Sequence, residues 1–137
     1  MNVNHPTKLE LSIGGMGDHT SVVLKEEGTI LYERLGPGFV PQDCAEVRPT
    51  DEEWSAFWSE LERLGVWNWR RDYFNSNVCD GTQWGVKVNH AGRNIKVSGS
   101  NSYPKADGKP NRSTSPTECF NMFSAAVSRL AGGREFR

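Results

Sequence analysis

The sequence predicts an α+β fold, a two-layer sandwich in which two helices cover one face of a mostly antiparallel sheet of about five strands, in the order βββαββα. Three observations carry this. Two stretches place apolar residues at helical spacing, several short segments alternate apolar and polar residues with a period of two, and glycine-containing reversals separate those segments. A chain of 137 residues, 36 % hydrophobic and 24 % charged, has the length of one domain with a real core.

Residues 1–6 are expected as a loose leader. Leu9, Leu11 and Ile13 then alternate with Lys8, Glu10 and Ser12, which predicts a half-buried strand. Gly14-Gly15-Met16-Gly17-Asp18 follows. Such a run can cradle a phosphate when it leads into a helix N-terminus. Here it leads into the β-rich segment Thr20 to Lys25, and no Lys-Ser/Thr pair completes a P-loop, so it reads as a hairpin turn. Glu26-Glu27-Gly28 makes the next turn and Thr29 to Leu35 the third strand. Gly36-Pro37-Gly38 ends it, and the connector through Pro49 is expected to be irregular.

Thr50-Asp51-Glu52-Glu53 is a helix start of the capping-box type, with acids at the positive end of the helix dipole. Trp54, Phe57, Trp58, Leu61 and Leu64 form one apolar stripe, and Gly65 is the expected stop. The chain from Trp67 to Pro104 is the part around which the rest is arranged. An aromatic run (Trp67, Trp69, Tyr73, Phe74) leads into two alternating segments. Trp84, Val86 and Val88 mark the first; Ile95 and Val97 mark the second, after His90-Ala91-Gly92-Arg93. This is a hairpin with one buried face, and a wet face of Gln83, Lys87, Asn89, Asn94, Lys96 and Ser98. The polar, basic segment Lys105 to Thr114 reads as an exposed, mobile loop. Ser115-Pro116-Thr117-Glu118 repeats the helix-start pattern, with Pro at N1 and Glu at N3. Phe120, Phe123, Val127 and Leu130 give the second stripe, and residues 134–137 a short tail.

The stretch from Trp67 to Pro104 resembles a pattern in small bacterial proteins of uncharacterised, domain-of-unknown-function type. The matching residues are Trp67, Trp69, Tyr73, Asp80, Gly81, Thr82, Trp84, Gly99, Asn101, Tyr103 and Pro104. They make an aromatic-rich segment, an Asp-Gly-Thr-x-Trp strand and a Gly-x-Asn-x-Tyr-Pro close. The basic segment from Lys105 to Thr114 departs from the pattern. The resemblance implies the fold and brings no assigned reaction.

Charge and chemistry narrow the function. Residues 1–69 hold five basic and twelve acidic side chains, net −7; residues 70–137 hold eleven and five, net +6. Such a split suits two halves that attract each other across the fold, or a basic face for a polyanion or an acidic partner. Three widely spaced cysteines (Cys44, Cys79, Cys119) form neither a disulfide framework nor a zinc ribbon, and three scattered histidines (His5, His19, His90) make no metal-ligand spacing. No cofactor is expected. The sequence has neither an apolar run of membrane-spanning length nor a secretory leader, so the expected location is cytoplasmic and no membrane partner is expected. Cys79 sits beside Asp80, which would raise a thiol pKa, and reads as an inert thiol. Asp80, Asn101 and Tyr103 either complete the hairpin structurally or line a small polar cleft with Trp69 or Tyr73.

The leading expectation is therefore a non-catalytic protein-interaction module, an inhibitor, immunity-type or accessory subunit acting by surface complementarity. Its candidate binding residues are Trp69, Arg70, Arg71, Tyr73, Asp80, Lys87, Arg93, Lys96, Asn101 and Tyr103. The alternatives are a nucleic-acid-binding module that uses the basic half with Trp69 and Tyr73 as stacking rings, and a small hydrolase.

Overall fold

A computed structural model describes residues 2–77 and 81–137. Nine principal elements follow in chain order: β1 (Lys8–Gly14), β2 (His19–Glu26), β3 (Thr29–Leu35), β4 (Pro41–Val47), α1 (Asp51–Arg63), β5 (Asp72–Phe74), β6 (Gln83–His90), β7 (Arg93–Ser100) and α2 (Glu118–Leu130). The fold is α+β. All seven strands form one mixed sheet in the order β4-β3-β2-β1-β6-β7-β5, antiparallel throughout except where β5 runs parallel to β7.

Two strands exceed the expected five. The connector expected to be irregular contains β4, which lies at the sheet edge and pairs with β3 alone. An edge strand with most of both faces in water shows no period-two alternation, and Pro41 at its first position masks it further. β5 has only three residues, and its pairing with β7 depends on a parallel register that no local pattern announces.

Period-two alternation decides which residues enter the core. Leu9, Leu11, Ile13, Val22, Ile30, Tyr32, Trp84, Val86, Val88 and Val97 are buried on the same side of the sheet. They form one cluster with Trp54, Phe57 and Leu61 of α1 and with Phe120, Phe123, Val127 and Leu130 of α2. The helix that starts at Thr50 has the expected capping box: Thr50 Oγ1 accepts from the Glu53 amide at 3.1 Å, and the Thr50 amide donates to Glu53 Oε1 at 2.9 Å. Gly65 ends it in a left-handed conformation, φ 71°. The second helix begins two residues later than its sequence suggests. Its N-cap is Thr117, whose Oγ1 accepts from the Phe120 amide at 3.1 Å, so Ser115 and Pro116 lie outside it.

Both ends of the described chain are docked. Trp58 Nε1 donates to the Asn4 carbonyl at 2.7 Å, and the His90 ring, stacked on Trp58 at 3.8 Å, places Nε2 2.9 Å from the Val3 carbonyl. Residues 134–137 lie along the sheet. Phe136 is buried, Tyr32 donates to the Glu135 carbonyl at 2.6 Å, and Thr20 donates to that of Arg137 at 2.8 Å. The segment expected as a loose leader is thus bonded through Val3 and Asn4, and the short tail is held through Glu135, Phe136 and Arg137. Residues 105–114 are likewise tied in. Tyr73 donates to the Gly108 carbonyl at 2.5 Å, the Asn111 amide donates to the Tyr103 carbonyl at 3.0 Å, and Pro104 and Pro110 form a β-bridge.

Candidate functional site

The helices cover one face of the sheet and leave the other open. On that open face the register aligns Glu33, Ser21, Ser12, Gly85, Ser98 and Asp72 in a single row across β3, β2, β1, β6, β7 and β5. The four central members have small side chains or none. With strands about 4.8 Å apart, they make a floor about 15 Å long. Asp72 closes one end, its Oδ1 accepting from Ser98 Oγ at 3.1 Å.

Taller residues flank this floor. On one side the next row runs Leu31, Val23, Glu10, Lys87 and Lys96; on the other it runs Leu35, His19, Gly14, Gln83, Ser100 and Phe74. The result is a trough enclosing about 440 Å³. It adjoins a second hollow of about 410 Å³ at the Gly14–His19 turn, where Met16, Asp18, Phe39 and Asn101 meet Ser12 and His19. Met16, Phe39 and Phe74 are exposed apolar side chains at this end of the sheet.

The charges on the face are not equivalent. Lys87 is paired with Glu10 at 3.5 Å. Lys96 lies directly across from Lys87 and has no ion-pair partner among the described residues. Like charges placed opposite one another on a sheet repel, so Lys96 is a cation open to an anionic group from outside. The wider charge split of the sequence is partly internal: Lys87–Glu10, Arg93–Glu62, Arg129–Glu60 and Arg134–Asp43 each join the basic half to the acidic half.

The sequence-derived candidates divide into three groups. Lys87 and Lys96 lie on the open face. Trp69, Tyr73 and Tyr103, expected to offer rings to a ligand, are core residues only 7 %, 1 % and 1 % exposed. Trp69 packs edge-on against Trp84 and Phe123, and Tyr103 stacks on Trp84 at 6.2 Å. Burial pushes the Tyr73 and Tyr103 hydroxyls above the ordinary tyrosine pKa. Arg70, Arg71 and Arg93 lie apart from the trough floor. Arg93 lies over the Trp67 ring at 4.4 Å and is held by Glu62 at 2.8 Å. Arg70 and Arg71 are exposed immediately before β5, and Asp80 lies outside the described residues.

Asn101 has a structural task. Its backbone takes φ 56°, its amide donates to the Thr82 carbonyl at 2.9 Å, and its Oδ1 accepts from the Thr82 amide at 3.0 Å. A Cβ on Gly81 would sit 2.1 Å from that Oδ1, and a Cβ on Gly99 would sit 2.0 Å from Trp84 Nε1, which donates to the Ser102 carbonyl at 3.0 Å. The described part of the Asp-Gly-Thr-x-Trp and Gly-x-Asn-x-Tyr-Pro segments is thus an interlock in which each glycine makes room for a residue of the other segment. Asn101 also lines the smaller hollow, so the lock borders the open face.

Among the described residues no group of three or more histidines, cysteines or carboxylates is placed to hold a metal. Cys119 is buried, its Sγ 3.7 Å from the Leu64 carbonyl, and burial raises its thiol pKa; Cys44 is exposed on β4. No helix of the described residues is long and apolar enough to cross a membrane. The floor residues Ser12, Ser21 and Gly85 were not among the sequence-derived candidates. Their common row depends on the pairing of β1 with β6, which joins residues far apart in the chain. No family model matches this sequence, and no curated protein matches it significantly.

Proposed function

We propose that the protein is a non-catalytic interaction module, of the inhibitor, immunity or accessory-subunit kind, that receives an element of another protein on its open sheet face. The observation that carries this reading is the trough: four adjacent strands contribute only serine or glycine to one row, on a face that no other part of the described chain covers. Apolar side chains at the rim (Val23, Leu31, Phe74) and the unpaired Lys96 would supply the contact area and the steering that such docking requires. The titratable groups of the face support the same reading. They are dispersed or already paired, with Asp18 and His19 at one end, Glu10 bonded to Lys87 in the middle, and Asp72 bonded to Ser98 at the other.

The test is capture from the native host with the wild type and with Ser12→Tyr, which fills the floor without touching the core. A stoichiometric protein held by the wild type and lost by the variant, with unchanged melting of the variant, is the expected result. Retention of that protein by Ser12→Tyr removes the trough as its site.

A nucleic-acid reading rests on Arg70, Arg71, Lys105, Lys109 and Arg112. Arg70 and Arg71 directly precede β5, Lys105 and Lys109 flank the Gly108 turn that Tyr73 of β5 bonds, and none of the five has an ion pair among the described residues. It loses its stacking platform, because Trp69 and Tyr73 are buried. A salt titration with mixed oligonucleotides separates the two readings: steep, salt-dependent binding favours this one, and no binding at low salt eliminates it.

A further inference from the structure

We propose that β4 is a self-association edge: two copies of the chain pair β4 with β4, antiparallel, about a two-fold axis through Cys44. The two sheets then join into one, with both troughs on the same side. This concerns the sheet edge rather than its face, so it stands or falls separately from the docking function.

The backbone supplies the first argument. A two-residue reversal at Ala91–Gly92 (φ 51° and 79°) makes His90 and Arg93 a hydrogen-bonded pair. Alternation carries that phase unbroken through the paired residues of β6, β1, β2 and β3. On β4 it turns Asp43, Ala45 and Val47 toward β3. The N–H and C=O groups of Cys44 and Glu46 therefore point outward, away from the sheet and unused by it.

The second argument is light protection. Edge strands are ordinarily guarded by lysine and other charged side chains, by proline, by bulges, by brevity or by a covering element. β4 has seven residues, carries no basic side chain, confines its proline and its bulge to the first two positions, and is exposed or half-exposed throughout. Its two acids, Asp43 and Glu46, are paired within the chain. The opposite edge, β5, has three residues and is flanked by the arginines before it and by the folded-back Gly108 segment.

The third argument is register. With the axis at Cys44, the regular stretch Asp43–Ala45 pairs with its equivalent, and the bulged Pro41–Gln42 end falls opposite Glu46 and Val47 of the second copy. Glu46 then lies opposite Gln42 of the second copy, and Asp43 lies opposite its Ala45, so no like charges meet. Placing the axis at Asp43 or at Glu46 sets a carboxylate against itself. Both carboxylates already have partners within their own chain, Arg134 for Asp43 at 3.4 Å and Lys25 for Glu46, and add little net charge to the join. Phe39 and Val40, each 59 % exposed just before β4, come to lie beside the Val47–Arg48 end of the second copy.

The register itself can be read out. Cα atoms of a hydrogen-bonded antiparallel pair are about 5.5 Å apart, within the range a disulfide spans. The two Cys44 thiols should therefore be joined by a mild added oxidant, which takes one electron and one proton from each thiol. This bond is a probe of geometry and is not proposed for the native protein. A single edge pairing is a small interface, so weak, concentration-dependent association is expected.

Sedimentation equilibrium of the full chain should give twice the 15.3 kDa chain mass as concentration rises. Cys44→Pro and Glu46→Pro each remove an outward N–H that no intramolecular bond uses. Both should sediment as single chains with unchanged melting, while Cys44→Ser remains dimeric. Peptide mapping after oxidation should recover a Cys44–Cys44 link. A wild type that stays at single-chain mass at its highest soluble concentration overturns the proposal, as does a dimer that persists in a folded proline variant, or a covalent dimer linked only through Cys79.

Discussion

Gly85 on β6 and Gly99 on β7 lie on neighbouring strands one residue apart in register, so they face opposite sides of the sheet. Gly99 lies under the Trp84 indole, where an added methyl group would be 2.0 Å from Nε1. Gly85 faces outward, where the same methyl group would meet the Ser12 hydroxyl at 3.2 Å and the Val97 carbonyl at 3.9 Å. The inner glycine is required by its neighbours. The outer one leaves space that nothing in the described chain fills. Residue types on the helix-covered face are explained by packing, whereas the small side chains of the open face have no such internal explanation.

Substitutions on the two faces should therefore differ sharply. The largest loss is expected from Trp84→Ala, which removes the ring that Trp69, Tyr73, Tyr103 and Phe120 surround and leaves the Ser102 carbonyl without its donor. Urea unfolding should show it less stable by about 3–5 kcal/mol, the usual range for truncating a buried large aromatic residue. Gly99→Ala should follow with a loss of about 1–3 kcal/mol, since the indole must move within a packed core. A Gly99→Ala protein as stable as the wild type would mean that the inner face is loosely packed. Gly85→Ala should change stability by less than about 1 kcal/mol, because the Ser12 hydroxyl can rotate away and a strand gains from losing glycine.

The buried tyrosines add a condition under which only the covered face responds. Burial holds the Tyr32, Tyr73 and Tyr103 hydroxyls above their ordinary pKa of 10.0 in the folded protein. The folded state thus keeps protons that the unfolded state releases. The resulting stability is fully present below about pH 10 and is lost as pH rises through the folded-state values. Unfolding free energy should be insensitive to these groups from pH 7 to 9 and fall above 10, with a shallower fall in Tyr103→Phe. An unchanged alkaline slope in that variant would remove Tyr103 from the effect.

Elements that bury one face were legible from sequence. The stripe of Trp54, Phe57 and Leu61, the capping box at Thr50 and the alternation of Trp84, Val86 and Val88 each express burial through local spacing. β4 escaped because an edge strand buries little on either side and so carries no pattern. Trp69, Tyr73 and Tyr103 were read as possible ligand rings because an aromatic residue looks the same in sequence whether it packs against protein or against a partner. Lys87 and Lys96 were correctly assigned to the wet face. Their neighbours across the β1–β6 pairing were invisible, since register between distant strands is a tertiary property.

That pairing has a further consequence. Strands β1 to β4 form a meander from adjacent segments, and β6 and β7 form a hairpin, so each half of the sheet can assemble from contacts close in the chain. They unite only where Leu11 meets Val86, about 75 residues later, and contacts of such separation are slow to form because a long loop must close first. The seam runs between Ser12 and Gly85, through the middle of the trough floor. A nascent chain or a half-assembled intermediate therefore has no complete trough to offer, and recognition at this face would report that folding has finished.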